Sequence, residues 1–142
     1  MEKVVFALEI EDGWPPLGAE GVWCKKIGEH YQLDNIPFFI QGLAVGDLFS
    51  ACPDPVNKHI FEFEVLKESG HSVISILNNI DLDLEGFLGS VKALGCSFEQ
   101  FKQYSLTVID APPDIEIDRL NKLIDQYEDL GIDFAFPVWR FE

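Results

Sequence analysis

The 142-residue sequence predicts an α+β protein: a β-rich amino-terminal half followed by a half that mixes strands with helices. Short segments before residue 70 alternate apolar with polar residues, whereas the apolar spacing becomes helical after Asp81 and again after Asp114. Apolar residues form 47% of the chain, enough to bury a core without disulfides or metal. We therefore expect a β-meander or small barrel over residues 1–70 and a ferredoxin-like β-α-β-α-β half with two helices over 71–142, as two subdomains or one compact domain.

Alternating segments predict the strands of the first half. Val4, Phe6, Leu8 and Ile10 share one face of a strand that ends at the turn-forming Asp12-Gly13 pair and two prolines. Two further strands flank a hairpin turn at Gly28-Glu29. The remaining strands are expected over residues 48–52 and 59–67.

Two apolar stripes predict two amphipathic helices in the second half, and a glycine ends each stripe. The first stripe is Leu84, Phe87, Leu88, Val91 and Leu94, followed by Gly95. The second is Ile117, Leu120, Leu123, Ile124, Tyr127 and Leu130, followed by Gly131. Strands are expected before, between and after these helices, over residues 73–77, 104–109 and 132–138.

Charge is the strongest compositional signal. Twenty-five acidic residues stand against ten basic ones, which gives a formal net charge of −15. Such a field repels nucleic acid and anionic membranes and attracts basic surfaces, so we expect a basic protein partner rather than either of those. Solubility alone is the alternative explanation. Three widely spaced cysteines and the lack of a secretion signal or apolar span predict a cytoplasmic protein.

The sequence contains no complete catalytic, metal or cofactor motif. The spacings of His30, His59 and His71 relative to the cysteines match no zinc pattern, and no glycine-rich phosphate loop occurs. Adjacent residues of a strand point to opposite faces, so His71 and Ser72 are not expected to act together. We therefore expect no cofactor, no bound metal and no enzymatic activity.

Acidic residues concentrate around the second predicted helix. Residues 110 to 133 carry eight acidic residues against Arg119 and Lys122. Asp125, Glu128 and Asp129 approach the negative end of the helix dipole, where acids are unfavourable. This indicates a candidate docking role, while a plain solvated face remains the simpler interpretation of such a charge cluster. The predicted partner-binding residues are Asp110, Asp114, Asp118, Asp125, Glu128, Asp129, Asp133 and, as an aromatic anchor, Trp139.

Several short motifs resemble a bacterial family of small proteins of unknown function. They are Asp34-Asn35-Ile36-Pro37-Phe38-Phe39, Gly46-Asp47, Ser69-Gly70-His71-Ser72 and Leu94-Gly95-Cys96. The resemblance implies no activity. By analogy, proteins of this size and acidity recur as immunity partners of secreted nuclease toxins.

These patterns support three functional hypotheses. The first is an immunity-type inhibitor that masks the basic site of a toxin domain, such as a nuclease. The second is a small enzyme or ligand-binding protein with a pocket near Asn35, Phe38 and His71. The third is an interaction module that associates through Gly86, Gly89 and Ala93, which share a smooth side of the first helix. The sequence leaves the oligomeric state open.

Overall fold

A computed structural model describes residues 1–141 of the chain. Its contacts divide the chain into two units, Met1–Ser69 and a second unit from Gly70 onward. Each unit has its own antiparallel sheet and its own apolar core, and the second unit contains two α-helices. These features confirm the predicted α+β class.

The first unit is a five-stranded meander in which each strand pairs with the next. The strands are β1 (Glu2–Ala7), β2 (Ala19–Ile27), β3 (His30–Leu33), β4 (Leu48–Ala51) and β5 (Phe63–Lys67). The segment before β5 was expected to continue that strand, but Ile60 instead pairs with β1. Its N–H donates to the Val5 carbonyl and its carbonyl accepts the Ala7 N–H, both at 2.8 Å. This bridge partly closes the sheet.

The core of the first unit follows from strand alternation. Along β2, Val22 and Cys24 are buried while Trp23 and Lys25 are exposed. Three phenylalanine rings meet inside, with centroids separated by 5.5 to 6.0 Å. They belong to Phe6, Phe49 and Phe63. These edge and tilted contacts are typical of a packed aromatic core.

The second unit alternates strands and helices. It contains β6 (Ser72–Leu77), α1 (Glu85–Leu94), β7 (Ser97–Phe101), β8 (Leu106–Ala111), α2 (Ile117–Asp129) and β9 (Asp133–Val138). The sheet order is β7-β8-β6-β9, and all neighbours are antiparallel. The sequence predicted one strand between the helices, whereas the structure has two. The 3₁₀ turn Lys102–Tyr104 separates them, so the expected strand at residue 104 begins at Leu106.

Both helices bury apolar side chains against the sheet of the second unit. Phe87, Leu88 and Val91 of α1 and Leu120 and Ile124 of α2 are buried. They join a cluster that includes buried residues of β6 and β8, where each large apolar side chain contributes about 1.5–3 kcal/mol. Neither α-helix in residues 1–141 combines the length and apolar composition needed to cross a bilayer.

Candidate functional site

The acidic surface consists of six exposed carboxylates on α2 and its flanking segments: Asp114, Asp118, Asp125, Glu128, Asp129 and Asp133. Within the part of the chain that the structure describes, none of the six forms an ion pair. Glu116, which also belongs to this region, pairs with Arg119 at 3.0 Å. The structure therefore leaves six of the seven predicted acidic residues exposed to solvent without a cationic partner.

Asp110 corrects the predicted set because it does not lie on this surface. It belongs to β8, is only 6% exposed, and its carboxylate accepts a hydrogen bond from His71 Nδ1 at 2.8 Å. Burial raises the pKa of Asp110, and the hydrogen bond and charge of His71 oppose that increase. The prediction grouped Asp110 with the acidic surface because it is close to α2 in the sequence. In the structure, β8 directs its side chain inward.

The carboxyl-terminal end of α2 carries uncompensated negative charge. No basic residue lies in its last turn, where Asp125, Glu128 and Asp129 approach the negative end of the helix dipole. Asp125 and Asp129 are also like charges four residues apart, which costs roughly 0.2–0.5 kcal/mol. The arrangement therefore lowers helix stability.

Two exposed apolar residues accompany these acids. Leu130, which was predicted to belong to the core stripe, follows the end of α2 and is 52% exposed. Ile80 is 51% exposed, and its Cδ1 lies 3.3 Å from the position that a Cβ on Gly131 would occupy. Ile80 and Leu130, hereafter the apolar pair, thus both lie next to Gly131, which stands between Asp129 and Asp133 in the chain. Ile80 was not predicted because it lies outside every periodic segment.

Trp139 is not a freely exposed anchor. It is partly buried against the core of the second unit, and its ring lies 5.2 Å from that of Phe136 and 5.0 Å from that of Phe141. In the first unit, by contrast, Trp14 and Trp23 are exposed. Trp139 is therefore first of all a packing residue.

The Ser69-Gly70-His71-Ser72 motif leads into a polar network of the second unit. Besides its bond to Asp110, His71 offers its backbone carbonyl to the Arg140 guanidinium at 3.2 Å. The Arg140 N–H donates to the buried Ser72 hydroxyl at 2.9 Å. These bonds connect the start of β6 to the segment after β9, so the network stabilises the edge of this sheet.

In the first unit, the aromatic motif is held by a buried carboxylate. Glu20 accepts backbone N–H bonds from Phe38 at 2.6 Å, Phe39 at 2.9 Å and Ile40 at 3.2 Å. Asn35 accepts the Trp23 N–H and donates to the Ile36 carbonyl at 3.1 Å. Burial raises the pKa of Glu20, which the three backbone bonds partly offset.

The Gly46-Asp47 motif is likewise structural. The fully buried Asp47 carboxylate accepts the N–H groups of Ala44 and Ser69, both at 2.9 Å. Asn35 and Phe38 belong to the first unit and His71 to the second, so the alternative pocket stays a prediction. The hydrogen bonds of these motifs fix loops.

The structure also contains open concavities within each unit. One of about 620 Å³ in the first unit is lined by Glu29, His30, Glu62 and Glu64, among others. No cluster of three or more possible metal ligands occurs in residues 1–141. Burial raises the pKa of Cys24 to about 12 and that of Cys96 to about 11, so neither is a thiolate nucleophile at neutral pH.

The small residues of α1 border different neighbours, and the smooth-side hypothesis stays a prediction. Gly89 lines a cavity of about 830 Å³ beside β7. Ala93 lines a different groove of about 410 Å³ with residues of α2. A Cβ on Gly86 would lie 3.8 Å from the Tyr127 hydroxyl, also on α2.

Two antiparallel sheets and two α-helices, one of which carries exposed acidic residues, define an α+β protein with a candidate docking surface. The sequence model of the Domain of unknown function (DUF4265) matches residues 20–133, and the chain belongs to this family. The chain is also similar in fold to a hypothetical protein from Neisseria gonorrhoeae whose crystal structure is known. The two share 17% identity and a TM-score of 0.79 over 100% of this chain and 99% of the other. No curated protein matches the sequence.

Proposed function

We propose that this protein is an acidic binding protein that docks a basic partner through the acidic surface on α2. In its specific form, the proposal is an immunity-type inhibitor that masks the basic site of a toxin, such as a nuclease. The observation that carries it is the uncompensated charge at the carboxyl-terminal end of α2. Those acids oppose the helix dipole and form no ion pair in residues 1–141, so stability of the fold does not account for them.

Complementary charge would accelerate association with such a partner. A nuclease groove is basic because it binds phosphates, and facing carboxylates steer its approach while excluding nucleic acid. Exposed charges increase the association rate more than the affinity, so tight binding also needs an apolar anchor. The apolar pair of Ile80 and Leu130 supplies one beside the acids.

Local arrangement, rather than total charge, supports this choice of surface. Residues 1–69 contain twelve acidic and five basic residues, and residues 70–142 contain thirteen and five, giving −7 and −8. Net charge is therefore shared almost equally. The acidic surface is distinguished by the position of its acids at the carboxyl-terminal end of a helix, where no basic residue lies in the last turn.

Two finer expectations belong to the same proposal. The element order β6-α1-β7-β8-α2-β9 and the sheet order β7-β8-β6-β9 support a ferredoxin-like arrangement for the second unit. Three widely spaced cysteines support action in a reducing cytoplasm.

The test is affinity capture from the source organism at low salt, followed by an activity assay. The tagged protein should retain a basic protein whose nuclease activity it inhibits, and elution should occur as salt shortens the Debye length to roughly 3–8 Å. A variant with Asp125→Asn, Glu128→Gln and Asp129→Asn should lose this capture and inhibition.

A matched control removes three exposed charges from the first unit, with Glu29→Gln, Glu62→Gln and Glu64→Gln. It has the same net charge as the α2 variant and should behave as the wild type. If both variants lost capture and inhibition equally, the effect would come from net charge and not from the acidic surface. Failure of the wild type to retain or inhibit any basic protein would refute the proposal.

A further inference from the structure

One concavity of the second unit lies between α1, the edge strand β7 and the loop that joins β6 to α1. It encloses about 830 Å³, within the roughly 300–1,000 Å³ typical of small-molecule sites. Leu84, Leu88 and Phe98 provide apolar walls. The cavity involves neither α2 nor the acidic surface, so a ligand bound in it would be independent of the proposed function.

Two polar residues of the sheet line this cavity, the buried Thr107 and the exposed Gln100. Gln100 of β7 lies directly opposite Thr107 of β8, and the adjoining pair on the same sheet face is Phe98 opposite Ile109. Both polar side chains line the cavity. Ile109 is fully buried in the core cluster, which shows that this sheet face is otherwise apolar.

Thr107 is only 4% exposed, and its hydroxyl forms no hydrogen bond to any residue from 1 to 141. Among the described residues, the side-chain polar atom that is fully enclosed and has no hydrogen-bond partner is His30 Nδ1. The Thr107 hydroxyl also lacks a partner, and it is therefore not fully enclosed by the core. It is presented to the cavity. Because this hydroxyl has no partner in the protein and can both donate and accept, it is available to bond a group that enters the cavity.

Charges of both signs surround the same cavity. Lys92 and Lys102 line it, as do Asp81, Asp83 and Glu85. The Asp83 carboxylate accepts the Glu85 N–H at 2.9 Å and is thereby committed to the start of α1. Two ammonium groups and two other carboxylates remain around an apolar wall.

We propose that this cavity binds a small zwitterion with an apolar side chain, namely a free α-amino acid of the size of leucine or phenylalanine. The lysines attract its carboxylate, and Asp81 and Glu85 attract its ammonium group. The Thr107 hydroxyl and the Gln100 amide each donate and accept hydrogen bonds, so they serve either charged group. The side chain packs against Leu88 and Phe98.

The mixed charge sets the selectivity. A simple carboxylate meets the acids of the rim without an ammonium group to balance them, and a simple amine meets the two lysines in the same way. Only a ligand that carries both charges satisfies both sets of groups. This gives the site a chemical signature that small analogues test directly.

The experiment titrates the full chain with L-leucine and L-phenylalanine, followed by calorimetry and by amide NMR shifts. Matched probes are 4-methylpentanoate, which lacks the ammonium group, and 3-methylbutylamine, which lacks the carboxylate. Binding of an amino acid at least about tenfold tighter than of either probe is expected, with shifts centred on Gln100 and Thr107. Equal binding of a probe, or no saturation by ~10 mM amino acid, would overturn the proposal.

Two variants locate the site. Thr107→Val keeps the side-chain shape and should weaken binding by up to about tenfold, the equivalent of one hydrogen bond. Gly89→Leu projects into open space at the cavity wall and should block binding while helix propensity improves. Lys67→Gln, in the first unit, is the control and should bind as the wild type. Undiminished binding in both cavity variants would place the ligand elsewhere and reject this site.

Discussion

The two units carry nearly the same net charge, −7 and −8, but differ in where they place key carboxylates. In the first unit, Glu20 accepts three backbone N–H bonds and Asp47 two, so both acids fix loops. In the second unit, Asp110 is buried against His71, whereas the six acids of the acidic surface have no cationic partner in residues 1–141. Equal charge counts therefore conceal different roles, because some carboxylates are buried and hydrogen-bonded whereas others lie exposed on a helix.

The largest expected effect comes from removing a structural carboxylate of the first unit. Glu20→Met keeps much of the side-chain volume but deprives three backbone N–H groups of their acceptor, at roughly 1–3 kcal/mol for each buried group. We expect its free energy of unfolding to fall by at least about 3 kcal/mol. Glu20→Gln retains one oxygen and should lose about half as much. Urea unfolding measures both.

Glu64→Gln is the control for this comparison, because Glu64 is exposed in the same unit. It should change the free energy of unfolding by less than about 0.5 kcal/mol. If Glu20 and Glu64 variants proved equally stable, the distinction between structural and surface carboxylates would fail for the first unit.

The fold was predictable where apolar periodicity is strong. Both helices and the strand β1 follow from regular spacing, since one face of each packs on a core. The edge strand β7 was missed because it is short and largely exposed, and only Phe98 and Phe101 are apolar in it. Ile60 was assigned to β5 because alternation does not reveal which strand a residue pairs with.

The candidate sites were less accessible to sequence reasoning. Exposure of the α2 acids followed from helical spacing, but the burial of Asp110 depends on the inward face of β8. Gln100 and Thr107 are 7 residues apart and become a site only through strand pairing. A usable signal did exist: Thr107 and Asp110 are polar residues inside a strand whose other residues are apolar.

Mild acid should stabilise the chain through its buried carboxyl groups. Burial raises the pKa of Glu20 and of Asp110, so the folded chain binds protons that the unfolded chain releases. The resulting stabilisation is fully present below the pKa values of the unfolded chain. It is lost as the pH rises through the higher pKa values of the folded chain. Hence the free energy of unfolding should increase from pH 7 to pH 5, by up to about 1.4 kcal/mol per unit of raised pKa.

Urea unfolding at the two pH values tests this expectation. Asp110→Asn and Glu20→Gln should each reduce the gain, one in each unit. Two variants are needed because the two buried carboxyl groups belong to different units. A wild-type chain that loses stability between pH 7 and pH 5 would contradict the prediction.

The smallest effect is expected at the acidic surface, and its sign is opposite to that of Glu20. Glu128→Gln with Asp129→Asn removes two charges from the negative end of α2, each worth typically 0.3–1 kcal/mol. The variant should therefore be more stable than the wild type by about 0.5–2 kcal/mol at low salt. Thermal unfolding at low salt and near 1 M salt measures the difference, which should nearly vanish when the Debye length falls to about 3 Å.

The Glu62→Gln and Glu64→Gln pair, matched in charge but away from a helix end, should give a smaller gain. If the α2 variant is instead destabilised, its acids contribute to the stability of the fold, and the proposed docking surface loses the observation that supports it.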